Sequence, residues 1–192
     1  MLSIGMIGPP VLLQQNQNIL SQQIIAPVQD ICSFPIQNAR QIAELDGLLI
    51  TGRQPCDYAR ILCRLQQPLL GRKDSLSFFG ISAGAAAFGK KQLLPLLNCR
   101  TSYEPCYRCT TSILDVPCFS ISRFTAFFLP EVRFYEPGPS LGILCHHPRR
   151  GPVIMRQGDI LVANYMAEWT PQKEIYTYWL NMVLALKNSR EI

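Results

Sequence analysis

Short apolar runs alternate with longer amphipathic ones in the first half of the chain, which predicts strands and helices layered around a largely parallel sheet. Leu2 to Ile7 is apolar and ends at Gly8-Pro9-Pro10, so it reads as a first strand and its loop. The Gln-rich stretch Val11 to Gln23 reads as a helix and Pro27 to Cys32 as a second strand. Asn38 to Leu45 has helix formers at helical spacing and stops at Asp46-Gly47. Leu48 to Thr51 and Leu76 to Ile81 are dominated by apolar residues, the pattern of strands buried on both faces. Between them, Cys56 to Gln67 sets Tyr58, Ile61, Leu62 and Leu65 on one side of a helix.

Beyond residue 92 the texture changes. Proline becomes frequent, helical periodicity lapses, and β-type runs follow at Cys118 to Ser122, Thr125 to Leu129, Leu141 to Cys145, Val153 to Arg156 and Ile160 to Asn164. Gln157-Gly158 predicts a two-residue hairpin turn that pairs Arg156 with Asp159 and sets Met166 opposite about Arg149. Pro171 to Lys187 closes the chain as a helix, with Thr170 as N-cap and an apolar stripe of Ile175, Tyr178, Trp179, Met182, Val183 and Leu186. That stripe is core spacing. No repeat or linker interrupts the pattern, so a single domain over residues 1–192 is expected.

Composition supports a globular chain: 48% of the 192 residues are hydrophobic and 16% charged. No apolar run approaches the roughly 20 residues that span a bilayer. The start, MLSIGMIGPP, lacks the basic region and cleavage site of a secretory signal, and a cytoplasmic protein is expected. The net charge of +5 comes from 18 basic and 13 acidic residues. Arg72-Lys73, Lys90-Lys91 and Arg149-Arg150 are the only basic doublets, too thin for a nucleic-acid footprint. Arg149-Arg150 reads as a solvated loop or as a contact for a phosphate or an acidic partner. The eight cysteines read as reduced thiols. Among them Cys99, Cys106, Cys109 and Cys118 form a C-x-x-C pair with two flanking thiols, which fits either a tetrahedral zinc site or scattered buried thiols. Nothing in the chain calls for a cofactor.

The strongest chemical signal is SFFGISAGAAAFGKK, an apolar strand that runs through Gly80-Ile81-Ser82-Ala83-Gly84 into a small-residue helix. Glycines two before and two after Ser82 suit a nucleophile elbow, in which a strained turn exposes the side chain at a helix N-terminus. The free N–H groups there stabilise an oxyanion. A tight strand-to-helix turn of any doubly wound fold accounts for the same residues without chemistry.

Together with IGMIG, LDGLLITGRQ, NCRTSY, FTAFFLPEV and GPVIMRQGDILVANYMAEWT, this segment resembles the glutaminase subunit of bacterial and plant pyridoxal 5′-phosphate synthase, a class I glutamine amidotransferase. The resemblance implies a three-layer flavodoxin-like α/β fold, with a mostly parallel central sheet and extra β-hairpins in the C-terminal half. It also implies glutamine hydrolysis with delivery of ammonia to a (β/α)8 synthase partner. The family's machinery is a Cys in a G-T-C-A-G elbow, a His and a Glu in F-H-P-E, and a P-G-G-E-S loop. Transferred to this chain, the Cys falls on Ser82, the His on Met166 and the Glu on Glu168. The loop falls on Thr51-Gly52-Arg53-Gln54-Pro55, keeping one glycine. The Arg of R-N-S-F is kept as Arg100, beside Ser102 and Tyr103, whereas the Arg of F-I-R-A-P becomes Pro130. Gly52, Arg53, Ala83 and Arg100 are then the substrate-side positions, suited to a small amino acid or amine. The first helix, VLLQQNQNILSQQ, corresponds to the family's docking region and is polar through Gln and Asn instead of charge.

These substitutions bear on the chemistry. A serine hydroxyl is a poor nucleophile unless a base takes its proton, and a thioether at Met166 neither accepts that proton nor returns one to ammonia. Glu168 has no imidazole to orient, and Arg53 sets a bulky cation where backbone must approach the reacting carbonyl. The expectation is a glutaminase-like protein impaired in hydrolysis that serves as a binding or regulatory subunit. The alternative is a Ser82-dependent hydrolase or amidotransferase with a rearranged base. Serine peptidases of the aspartyl dipeptidase and cyanophycinase type share the elbow but carry a downstream His, and residues 84–145 contain none. The only histidines are His146 and His147, which read as part of a solvated loop.

Overall fold

A computed structural model describes residues 1–23, 30–105, 108–129 and 131–191. Its strands are β1 (Leu2–Ile7), β2 (Ile31–Pro35), β3 (Gly47–Ile50), β4 (Ser77–Ile81), β5 (Arg100–Glu104), β6 (Thr110–Asp115), β7 (Arg123–Phe128), β8 (Glu131–Tyr135), β9 (Gly142–His147), β10 (Gly151–Gln157) and β11 (Ile160–Ala163). Three α-helices join them: α1 (Pro10–Asn18), α2 (Cys56–Leu70) and α3 (Glu174–Arg190).

The wholly buried runs form the centre of the main sheet, whose order is β2-β1-β3-β4-β11-β10-β9. β2 through β11 are parallel, and β10 and β9 add antiparallel strands at one edge. Successive side chains alternate between faces, so Leu49, Phe79 and Leu161 enter one core while Leu48, Phe78 and Val162 enter the other. The first core is covered by α1, α3 and the β6–β7 hairpin. The second is covered by α2, short 3-10 helices at Ala39–Glu44 and Ser82–Phe88, and the β5–β8 pair. This is the expected three-layer α/β arrangement, with a mostly parallel sheet and C-terminal hairpins.

α3 is seated at both ends. Trp179 is fully buried, its ring 5.3 Å from that of Phe79, and its indole N–H donates to Ser77 Oγ at 3.1 Å. Near the C-terminus, Lys187 and Arg190 reach the Asp46 carboxylate at 3.0 and 3.3 Å, beside the start of β3.

Several local expectations shift. Gln157 pairs with Ile160 and Arg156 with Leu161, so the hairpin turn is Gly158-Asp159, one residue later than expected, with Gly158 at φ +56°. Asn38 to Leu45 is 3-10 instead of α-helical, held by a capping box between Asn38 and Gln41. Cys118 to Ser122 is a turn, closed by Val116 N–H to Ser122 O at 2.7 Å. The strands flanking it are β6 and β7, and β5, β6 and β8 have no counterpart in the apolar pattern. Thr170 does not cap α3, because its hydroxyl donates to Met166 O at 3.0 Å and the helix begins at Glu174. Half of the predicted second strand lies outside the described residues, and β2 begins at Ile31. Among the described residues no helix is long and apolar enough to cross a membrane.

Candidate functional site

In open α/β sheets, sites form where the carboxyl ends of parallel strands release the chain into loops. Here β3 leads into Thr51 to Pro55, β4 into Ser82, and β11 into the Tyr165 to Thr170 loop. These three segments meet.

Ser82 has φ +54°, the left-handed conformation of an elbow residue. The glycines around it are required by close approach: a Cβ on Gly84 would overlap the Ile50 carbonyl, and one on Gly80 would lie 2.6 Å from the Phe88 ring. The expected strand, sharp turn and helix are therefore present, although the helix is 3-10. Ser82 is nonetheless 1% exposed. Its Oγ lies 3.1 Å from Leu129 O and 3.0 Å from Met166 Sδ. One O–H serves one acceptor at a time, and the carbonyl is the stronger. Met166, at the position expected for the histidine, is itself fully buried.

The backbone N–H after the elbow residue is an oxyanion donor in such sites. In this chain the Ala83 N–H donates to Gly52 O at 3.0 Å, and Tyr58 Oη donates to Ala83 O at 2.9 Å. The carbonyl of the one retained loop glycine thus occupies the donor that an oxyanion would use.

Glu168 is buried, and its Oε1 accepts from Thr51 Oγ1 at 2.6 Å, while Oε2 has no hydrogen-bond partner among the described residues. Burial pushes its carboxyl above the usual 4.5; the Thr51 bond, then its own backbone, Lys173 and Asn16, act against this. Glu168 is accordingly held toward its neutral form. Lys173 Nζ ties the same loop together by donating to Ala167 O, Glu168 O and Thr170 O at 3.1, 2.9 and 2.6 Å. Burial pushes this amine down to about 8, with Glu168 opposing the shift. Asn16, which accepts from Tyr176 Oη at 2.7 Å, brings α1 and α3 to the floor of the site.

Two residues assigned to the substrate side do not converge on Ser82. The Arg53 guanidinium lies over Trp169, 5.4 Å from the ring centroid, while Asp57 Oδ2 accepts from the Arg53 and Gln54 amides at 2.7 and 3.1 Å. Arg100 pairs with Glu136 at 3.4 Å, both side chains about two-thirds exposed at 67% and 68%. The alternation of β5 is the reason: Thr101 and Tyr103 face inward, and it is Tyr103 Oη that reaches the loop, donating to Arg53 O at 3.1 Å. Pro130 lies outside the described residues.

The described thiols do not gather into a zinc site. Cys99 is packed in the core under α2, its thiol pushed up to about 11 by burial, whereas exposed Cys118 adjoins Phe119 on the opposite face of the sheet. Cys109 is exposed, Cys106 lies outside the described residues, and the described residues contain no metal-holding cluster. His146 and His147 end β9, and neither is a partner of Ser82 Oγ.

Trp169, Lys173 and Asn16 were not legible as site residues. Thr51 and Tyr103 stood in named motif segments, but their contacts with Glu168 and with the Arg53 carbonyl were not legible. Trp169 follows a named motif position by one residue, and no local signal marks Lys173 or Asn16.

No family model matches the chain. It is 26% identical to pyridoxal 5′-phosphate synthase subunit PdxT of Thermotoga neapolitana over 151 residues, covering 72% of this chain and 80% of that protein. The PdxT of Francisella philomiragia is 27% identical over 142 residues, 72% of this chain and 79% of that one. Among solved structures, a glutamine amidotransferase superposes with a TM-score of 0.76 at 18% identity, covering 94% of this chain and 98% of that one. A putative GMP synthase subunit from Thermoplasma acidophilum gives 0.73 at 13% identity, covering 100% and 98%. The chain therefore has the glutamine amidotransferase fold and, over 72% of its length, resembles the glutaminase subunit of pyridoxal 5′-phosphate synthase.

Proposed function

We propose that this chain is a PdxT-like protein that does not hydrolyse glutamine and acts as a binding or regulatory subunit of a synthase of the kind its relatives serve. The observation that carries the reading is the 3.0 Å contact of Ser82 Oγ with Met166 Sδ, a thioether where the reaction needs a base. The capped Ala83 N–H and the buried, Thr51-bound Glu168, its carboxyl pushed upward by burial, support it. Losing nucleophile and base from a unit of this kind removes on the order of 10⁶-fold in kcat.

The test is restoration. Ser82→Cys combined with Met166→His is expected to stay inactive toward glutamine, because the Gly52 carbonyl still occupies the oxyanion donor. Recovery of ammonia release by the double variant would show that only the two side chains stood in the way. Wild-type ammonia release above a Ser82→Ala control would overturn the reading outright. For the subunit role, co-purification with a (β/α)8 synthase from the same source is expected, and separate elution would count against it.

The second reading, a Ser82-dependent hydrolase, draws on one observation, the retained strained elbow at φ +54°. Such an enzyme would form a covalent fluorophosphonate adduct on Ser82, detectable by mass spectrometry. The expected result is no adduct, and His147→Ala is expected to change nothing in that experiment.

A further inference from the structure

A cavity of about 410 Å³ lies beside the turn between β9 and β10, walled by Thr111, Ser112, Arg133, His147, Arg149 and Arg150. We infer that this cavity is a binding site for a small ligand bearing a phosphate group. It is distinct from the residues around Ser82, and the inference stands whether or not Ser82 reacts.

The wall is rich in hydrogen-bond donors. Three guanidinium groups, an imidazole and two hydroxyls line it, with no Asp or Glu among the described lining residues. Guanidinium groups bind phosphate oxygens through paired N–H donors, and hydroxyls complete such shells. The donors come from β6, β8, β9 and the turn, so tertiary structure has to assemble them.

Part of the wall is already held in position. Arg150 Nη2 donates to Thr110 Oγ1 at 2.7 Å, and its guanidinium lies 4.0 Å from the Phe128 ring centroid. The Arg149 amide donates to His147 Nδ1 at 3.2 Å, which leaves the proton of a neutral ring on Nε2 as a donor. Burial, then Arg150, Arg149 and His146, push His147 below its usual 6.5, and Arg133 adds a further cation to the same wall. A bound dianion would reverse that shift.

The concave shape favours a compact polyanion over a flat protein surface. The site also adjoins the elbow: Phe128, beneath Arg150, precedes Leu129, whose carbonyl faces Ser82 Oγ.

The experiment is a titration of the full chain with inorganic phosphate at low ionic strength, followed by calorimetry and by the histidine ring signals in NMR. Saturable 1:1 binding is expected, with an upward shift in the His147 titration larger than any at His146. Arg149→Ala and Ser112→Ala are expected to weaken binding by about tenfold each, while Arg64→Ala, an exposed cation on α2 outside the cavity, leaves it unchanged. Absence of saturation, or equal loss in Arg64→Ala, would overturn the inference. A Glu-rich peptide that binds more tightly than phosphate, and is not displaced by it, would also overturn it in favour of a protein-docking surface.

Discussion

A hydroxyl donates well to a carbonyl and weakly to a thioether, so Ser82 Oγ, placed between Leu129 O and Met166 Sδ, is a buried donor with its need met. Glu168 is the less settled residue, because Oε2 has no partner among the described residues and burial pushes the carboxyl toward its protonated form. An acid whose pKa is raised by folding binds its proton more tightly in the folded chain. Its contribution to stability is complete below the unfolded value near 4.5 and declines as pH rises from there toward the folded value. Glu168→Gln keeps the shape and the acceptor for Thr51 without the charge. Unfolding free energies from urea titration are expected to vary less for this variant than for wild type between about pH 5 and about pH 7.5, and to exceed wild type at the upper end. An identical pH slope in the two proteins would refute the assignment. The window stops there because Lys173, pushed down to about 8, contributes stability that increases with pH between about 8 and its ordinary 10.5.

At the scale of elements, the elbow is a packing solution as much as a catalytic one. The 3-10 turn at Ser82–Phe88 lies so close to the end of β3 that Gly84 has no room for a Cβ against the Ile50 carbonyl. Gly84→Ala is therefore expected to destabilise by about 3 kcal/mol, since backbone must move to accept the methyl group. Chemical denaturation measures this, and a loss below about 0.5 kcal/mol would show that the turn relaxes freely. In the linear motif these glycines signal chemistry, yet their contacts persist without a base at Met166. The β10–β11 hairpin carries a related lesson. Glycine marks the turn, but local rules place it one residue early, because both Gln157-Gly158 and Gly158-Asp159 satisfy them. The flanking registers with β4 and β9 select the second.

Across the whole molecule, α3 couples the two ends of the chain to the sheet centre. Trp179 is the largest fully buried side chain, contacts Phe79 and donates to Ser77 on β4. Trp179→Ala is expected to cost about 4 kcal/mol by cavity formation, read as a lower midpoint in guanidinium with β-structure retained below the transition. Apolar periodicity was enough to place β1, β3, β4, β11, α2 and α3, because buried strands and amphipathic helices must bury the residues that define them. The resemblance put Ser82 and Met166 at one site, and their side chains lie 3.0 Å apart because they follow β4 and β11, neighbouring strands of the parallel sheet. What the linear pattern did not contain was partner choice. Whether Arg100 faces the site or Glu136 depends on the β5–β8 pairing, and a strand alternates faces at each residue whatever its sequence. Whether the Ala83 N–H is free or taken by Gly52 depends on how closely two loops approach. The four cysteines near residue 100 looked like a cluster, but folding carries Cys99 and Cys118 to opposite faces of the sheet. The Arg149-Arg150 doublet looked like a solvated turn and became the wall of a cavity once β6 and β8 supplied the other donors. Side-chain periodicity is encoded locally and survives any packing, whereas contacts between distant segments exist only after the sheet has ordered them.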